Sequence, residues 1–181
     1  ALGNVTAYSE FIDTQGARVI RTTTLPDPDG PGPLASPTNI ATSFPDGSTF
    51  ELGGTGQHPT RYDYGAEVDA TLSAGTSVTW EKEIFLGSQG EISEWVKTYR
   101  DPAGRSYKTV YADNATQRTY FDAGGSVIKQ VDPDGVTMLF REGQGFEAGL
   151  PGIAADWDGE WRIAAVDVDQ DGLIDYAGTD Q

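Results

Sequence analysis

The punctuation of this chain constrains its fold more than any other feature. Short runs rich in Val, Ile, Thr, Tyr and Phe are interrupted by Gly, Asp and Pro turn clusters. Their spacing of roughly 8–12 residues is the pattern of an all-β fold. The sequence predicts strands over Ala17–Thr24, Ser48–Leu52, Ala66–Leu72, Thr76–Phe85 and Glu91–Tyr99, then Arg105–Ala112, Thr116–Phe121, Ser126–Val131, Val136–Arg141 and Trp161–Val166. In Thr76–Phe85, Val78, Trp80 and Ile84 fall on one face while Thr79, Glu81 and Glu83 fall on the other, the alternation of a half-buried strand. The single competitor for helix, Gly90–Thr98, is short and lacks a cap. These signals predict an antiparallel, repeat-type sheet or a sandwich of short strands. A chain of 181 residues is long enough for a core that buries about 68–70% of its unfolded surface.

Two stretches read as loops. Leu25–Thr38 carries Pro26, Pro28, Pro31, Pro33 and Pro37, which cannot donate to a ladder. Gly53–Pro59 is turn-rich. A third, Glu142–Gly152, separates a β-rich body (1–145) from an acidic tail (146–181), as two parts or as one continuous domain.

One pattern recurs within the body. An aromatic, any residue, Asp, two residues and Gly appear at Phe11–Gly16, at Tyr99–Gly104 and at Tyr120–Gly125. A second turn recurs as Pro28-Asp29-Gly30, Pro45-Asp46-Gly47 and Pro133-Asp134-Gly135. Each copy reads as a strand ending in a turn, where Asp bonds its own backbone and Gly supplies the positive φ. The aromatic is placed to pack on the neighbouring copy, since one hairpin cannot bury a face alone. On these residues the chain resembles the YD-repeat (Rhs) family, best over 99–140 and more weakly over 11–24. The resemblance implies a continuous antiparallel sheet wound from successive repeats. This chain has too few copies to close the shell that large Rhs proteins form, and 53–93 matches no copy.

The sharpest chemical signal is Asp167-Val168-Asp169-Gln170-Asp171-Gly172-Leu173-Ile174-Asp175. Calcium takes six to eight oxygens at about 2.3–2.6 Å, and carboxylates at loop positions 1, 3 and 5 converge when the chain curls around an ion. Gly172 permits the turn, the Leu173 carbonyl supplies a backbone oxygen, and Asp175 closes the set. Gly178 stands where an EF-hand needs its bidentate Glu, and the flanks read as strands. The segment 161–177 instead resembles the calcium hairpin of FG-GAP and VCBS repeats. That resemblance implies Asp167, Asp169, Asp171 and Asp175 as ligands, with the Leu173 carbonyl, and Ca2+ as the cofactor. Four carboxylates in nine residues repel unless a cation sits among them, so folding of the tail is expected to depend on it.

Composition then closes off most other chemistry. Net charge is −16, with 28 acidic and 12 basic side chains, which argues against nucleic acid. Absence of Cys removes disulfides, thiolate zinc sites and Cys nucleophiles, and His58 is the only His. His58 lies in a loop and reads as a surface residue. Glu81 with Glu83 reads as a solvated stripe; it and Glu91 with Glu94 are the carboxylate pairs a glycosidase would draw on. Trp80, Trp95, Trp157 and Trp161 read as packing residues, with a sugar-stacking platform as the alternative. No run approaches about 18 apolar residues, so no membrane span is expected.

Asn4-Val5-Thr6 and Asn114-Ala115-Thr116 are sequons only in a host that glycosylates. No catalytic residue and no enzyme activity are expected. The reading is an extracellular or cell-surface structural protein stiffened by calcium. Its partners would be further copies or neighbouring domains, paired through open sheet edges. A carbohydrate- or cell-surface-binding module is the alternative, and a polysaccharide-active hydrolase the second.

Overall fold

The computed structural model describes residues 5–14, 16–25, 38–72, 75–145, 158–176 and 180. Its first seven strands are β1 (Val5–Ile12), β2 (Arg18–Leu25), β3 (Thr38–Ser43), β4 (Thr49–Gly53), β5 (Thr60–Val68), β6 (Ser77–Leu86) and β7 (Ile92–Arg100). The remaining five are β8 (Ser106–Tyr111), β9 (Thr116–Phe121), β10 (Val127–Val131), β11 (Thr137–Gln144) and β12 (Glu160–Val166). Hydrogen-bonded neighbours follow chain order from β1 to β12, in one open antiparallel sheet. The described residues contain no helix, and of Gly90–Thr98 the part from Ile92 onward is strand. By contact the chain divides into two compact units, Ala1–Lys97 and Thr98–Gln181.

One hairpin geometry, used repeatedly, explains this simple order. In the Asp101 turn, the Asp101 N–H donates to the Arg105 carbonyl at 3.0 Å and the Gly104 N–H to the Asp101 carbonyl at 2.8 Å. Gly104 has φ +80°, a region an L side chain occupies at a cost of about 1–2 kcal/mol. This three-residue loop, with its third residue left-handed, suits the twist of the flanking strands. The same two bonds, four and three residues apart, recur at Asp13, Phe44, Gly87, Tyr111, Asp122 and Asp132. The Asp-x-x-Gly turns and the two described Pro-Asp-Gly turns are therefore one structure, not two kinds. Pro28-Asp29-Gly30 lies outside the described residues. At Tyr111 the left-handed position is taken by Asn114, at φ 68°.

The aspartate at the head of the turn acts as expected. Its Oδ1 accepts the N–H four residues on in Asp13 (Ala17, 2.8 Å), Asp101 (Arg105, 2.9 Å) and Asp122 (Ser126, 2.9 Å).

Several sequence expectations need correction. β1 and β3 were not predicted, because Val5–Ile12 mixes Ser, Glu and Ala among its apolar residues and Thr38–Ser43 adjoins the proline-rich stretch. The strand expected at Ala66–Leu72 is displaced: β5 starts at Thr60, and Asp69–Leu72 forms a turn held by Leu72 N–H to Asp69 carbonyl at 3.2 Å. The core is thinner than chain length suggests. Among the described residues, the buried apolar side chains are Val19, Val78, Ile84, Tyr99, Tyr107, Leu139 and Ala165. The open sheet forms rather than the sandwich. Among the described residues, most strand positions are only half-buried or exposed.

Cross-strand pairs supply part of what a second layer would. In the first unit, the Trp80 ring lies against Gly65, its directly opposed partner on β5. A Cβ on Gly65 would sit 2.4 Å from a ring carbon, so only glycine fits. Lys97 Nζ then stands 4.1 Å from the same ring, and Lys82 Nζ stands 4.2 Å from Trp95. The second unit repeats the device: Trp161 covers Gly143, its opposed residue on β11, where a Cβ would likewise sit 2.4 Å from a ring carbon. Lys108 over Tyr99 (4.3 Å) and Arg105 over Phe121 (4.5 Å) continue the series. Each such pair contributes about 0.5–1 kcal/mol where partly exposed.

Candidate metal centre

The acidic loop begins where β12 ends. Asp167 is still tied to β11, its N–H donating to the Thr137 carbonyl at 2.9 Å. That bond holds the side chain inside: Asp167 is 5% exposed. Its Oδ1 has no hydrogen-bond partner. A buried carboxylate oxygen without a donor is costly, and native proteins place a partner or an ion against such a group.

Beyond Asp167 the chain curls. Gln170 and Gly172 are left-handed, at φ 63° and 79°. Asp169 Oδ1 accepts the Asp171 N–H at 3.3 Å, and Asp171 Oδ1 accepts the Leu173 N–H at 2.8 Å. Asp180 then returns to the loop. Its Oδ1 accepts the Val168 N–H at 2.9 Å and its Oδ2 the Asp175 N–H at 3.1 Å. Tyr176 anchors the far side, its hydroxyl accepting from Arg141 Nη1 at 2.6 Å.

Asp167, Asp169 and Asp180 each present one carboxylate oxygen within 4.8 Å of the others. Oxygens bound to one calcium ion at about 2.4 Å lie no more than about 5 Å apart, so the three fit a shared ion. Two of the five residues expected from sequence, Asp167 and Asp169, belong to this group. Asp171 and Asp175 do not. Asp171 is occupied with the turn, and at Leu173 the recorded contact is its N–H, not its carbonyl. Asp175, though exposed, stands close enough to feel the cluster: some lost solvation and then the charges of Asp169, Asp171 and Asp180 raise its pKa above the usual carboxylate value.

Sequence reasoning missed Asp180. It lies beyond the nine-residue motif, and only the return of the chain brings it back. The available signal was one more Asp shortly after a loop that lacks a closing ligand at Gly178.

Other expected chemistry is positioned as follows. The exposed His58 ring has Nδ1 3.1 Å from the Pro59 carbonyl and a centroid 6.2 Å from that of Phe85. Glu83 accepts the Tyr62 hydroxyl at 3.0 Å. Burial, then Glu83, pushes Tyr62 up to about 12. Glu81 and Glu83 are thus half-buried opposite Tyr64 and Tyr62 rather than a freely solvated stripe. Glu91 accepts the Gln89 N–H at 2.9 Å within its turn. Trp161 also donates from Nε1 to the Gly145 carbonyl at 3.0 Å. Trp157 and Asn4 lie outside the described residues. Among the described residues, no helix is long and apolar enough to cross a membrane.

No protein-family model, curated protein or solved structure matches this chain.

Proposed function

We propose that the chain is a non-enzymatic, extracellular structural domain: a β sheet of YD-like hairpins, stabilised by calcium, that serves in a surface assembly, filament, sheath or large repeat protein. The observation that carries the proposal is Asp167, 5% exposed with an unpartnered oxygen and beside two further carboxylates. A hard divalent ion satisfies that oxygen and offsets the repulsion in one step. Asp167, Asp169 and Asp180 would hold it, with Asp171, the Leu173 carbonyl and Asp175 drawn in from the hairpin resemblance. Millimolar calcium outside cells fills even a weak site of this kind, which supports an extracellular location. Thin burial among the described residues supports the structural role, because apolar side chains left part-exposed along the strands are available to neighbours.

The deciding experiment is calorimetry and light scattering on one sample, first in millimolar calcium and then in excess chelator. Calcium should raise the melting temperature. An unchanged transition sinks the metal assignment.

One observation favours the carbohydrate-binding alternative. Phe44, Phe50 and Tyr64 form a joined aromatic group, with centroids 5.1 and 6.3 Å apart, and Phe44 and Tyr64 are 37% and 40% exposed. Such a surface stacks against sugar rings. Polysaccharide binding that a Tyr64→Ala, Phe44→Ala variant loses would bring this reading forward.

A further inference from the structure

β1 and β12 end the hydrogen-bonded order, so among the described residues each has one strand neighbour. Neither carries a proline, a lysine or a bulge. β1 has no Pro or Lys, and its eight-residue register with β2 is unbroken by a bulge. Tyr8, Phe11 and Ile12 on it are 76%, 44% and 63% exposed. β12 is likewise in unbroken register with β11 over seven residues. Long, regular, apolar edges are templates for strand addition.

Charge decides what each edge accepts. β1 carries one charged residue, Glu10, held on its inner side by Arg18 of β2 at 2.6 Å. β12 carries Arg162 near its centre. An antiparallel β1–β1 junction about Ser9 brings two Glu10 side chains onto neighbouring diagonal positions. A β12–β12 junction about Ile163 does the same with two Arg162 side chains. Like charges at those positions destabilise. Only the mixed junction pairs them: Glu10 opposite Arg162 also sets Tyr8 opposite Ala164, Phe11 opposite Trp161 and Ile12 opposite Glu160. In it Glu10 lies between two arginines.

We infer that β1 of one copy pairs antiparallel with β12 of a second copy, Glu10 against Arg162, to give head-to-tail assembly of this chain. The inference rests on the assembly reading above and names the surfaces that reading leaves open. A heterologous contact of this kind closes into a ring or extends without limit.

The test uses the full chain in millimolar calcium, with particle mass from light scattering and melting temperature from calorimetry. Wild type should form particles several-fold heavier than one copy. Glu10→Arg and Arg162→Glu should each stay monomeric while melting cooperatively, since both positions are exposed. Mixed in equal amounts, the two variants should reassemble, because every junction of an alternating chain again pairs Arg with Glu. A monomeric wild type, variants that assemble as wild type does, or a mixture that remains monomeric would each overturn the inference. A calcium-dependent rise in melting temperature in a monomeric wild type would leave the metal centre standing, whereas assembly without that rise would remove the metal centre and keep the edge pairing.

Discussion

Aspartate plays opposite parts in two loops of the second unit. At the Asp101 turn the carboxylate is 11% exposed and fully answered from within the chain. It accepts N–H groups from Ala103 and Arg105 and the Arg105 guanidinium at 2.7–2.9 Å. Burial pushes its pKa up, but those donors outweigh burial and hold it below the ordinary value. In the 167–180 loop, backbone N–H groups answer some of the oxygens, and no basic side chain lies between Arg162 and Gln181. There Asp175 is raised and Asp167 keeps an unpartnered oxygen. The same residue in similar turns is therefore self-sufficient where the chain supplies a cation and incomplete where it does not. The proposed calcium ion would supply from solution the positive charge that Arg105 supplies at Asp101.

The largest expected effect is on the incomplete loop. Saturating calcium at about 100 times its dissociation constant adds about 2.7 kcal/mol, or roughly 10–20 °C in the transition of a unit this size. Scanning calorimetry with Asp167→Asn should show that rise abolished. Asp180→Asn should reduce it strongly, whereas loss at Asp171 alone with Asp180→Asn harmless would assign the ligands by the nine-residue motif instead.

Asp101→Ala comes next. It leaves three donors unanswered and should cost about 1–3 kcal/mol, by the same amount in calcium and in chelator. A calcium-dependent cost would erase the distinction between the loops.

Gly104→Ala and Gly172→Ala sharpen it further. Both glycines are left-handed, at φ +80° and +79°, so each substitution should cost about 1 kcal/mol in chelator. Only Gly172→Ala should also weaken calcium binding, measured by titration calorimetry.

The smallest effect is on pH dependence. Asp101, lowered in the folded state, stabilises above the ordinary carboxylate pKa, and that contribution disappears as acid carries the pH down through its folded value. Asp175, raised, has the opposite sign: without metal, the folded tail is relieved as pH falls toward the raised value, because the folded form takes up the proton more readily. Carboxyl NMR titrations should find Asp175 above Asp101 in chelator and lowered by calcium.

Most strands were legible because Val, Ile, Thr and aromatic runs between Gly and Asp turns encode period-two structure locally. The two strands around the Tyr111 turn were legible, but the kinship of that turn with the Asp-x-x-Gly turns was hidden, since Asn114 does the work of glycine there. β3 was hidden by its proline-rich neighbour. The candidate metal centre was half legible: Asp167 and Asp169 fall in a contiguous motif, while Asp180 lies outside it. The Gly65–Trp80 and Gly143–Trp161 contacts were invisible, because a glycine in a strand is informative only once its register partner is known.

A consequence for folding kinetics follows from the strand order. Every pairing in which the register is resolved joins strands consecutive along the chain, so loop closures are short and the entropy lost in each is small. Such a chain has low contact order for an all-β protein and should fold faster than a sandwich of equal length. Pairing can start at any hairpin and spread to its neighbours in either direction. A chain that emerges end-first, from a ribosome or an export pore, can therefore zip up strand by strand as each hairpin appears, without waiting for its far end.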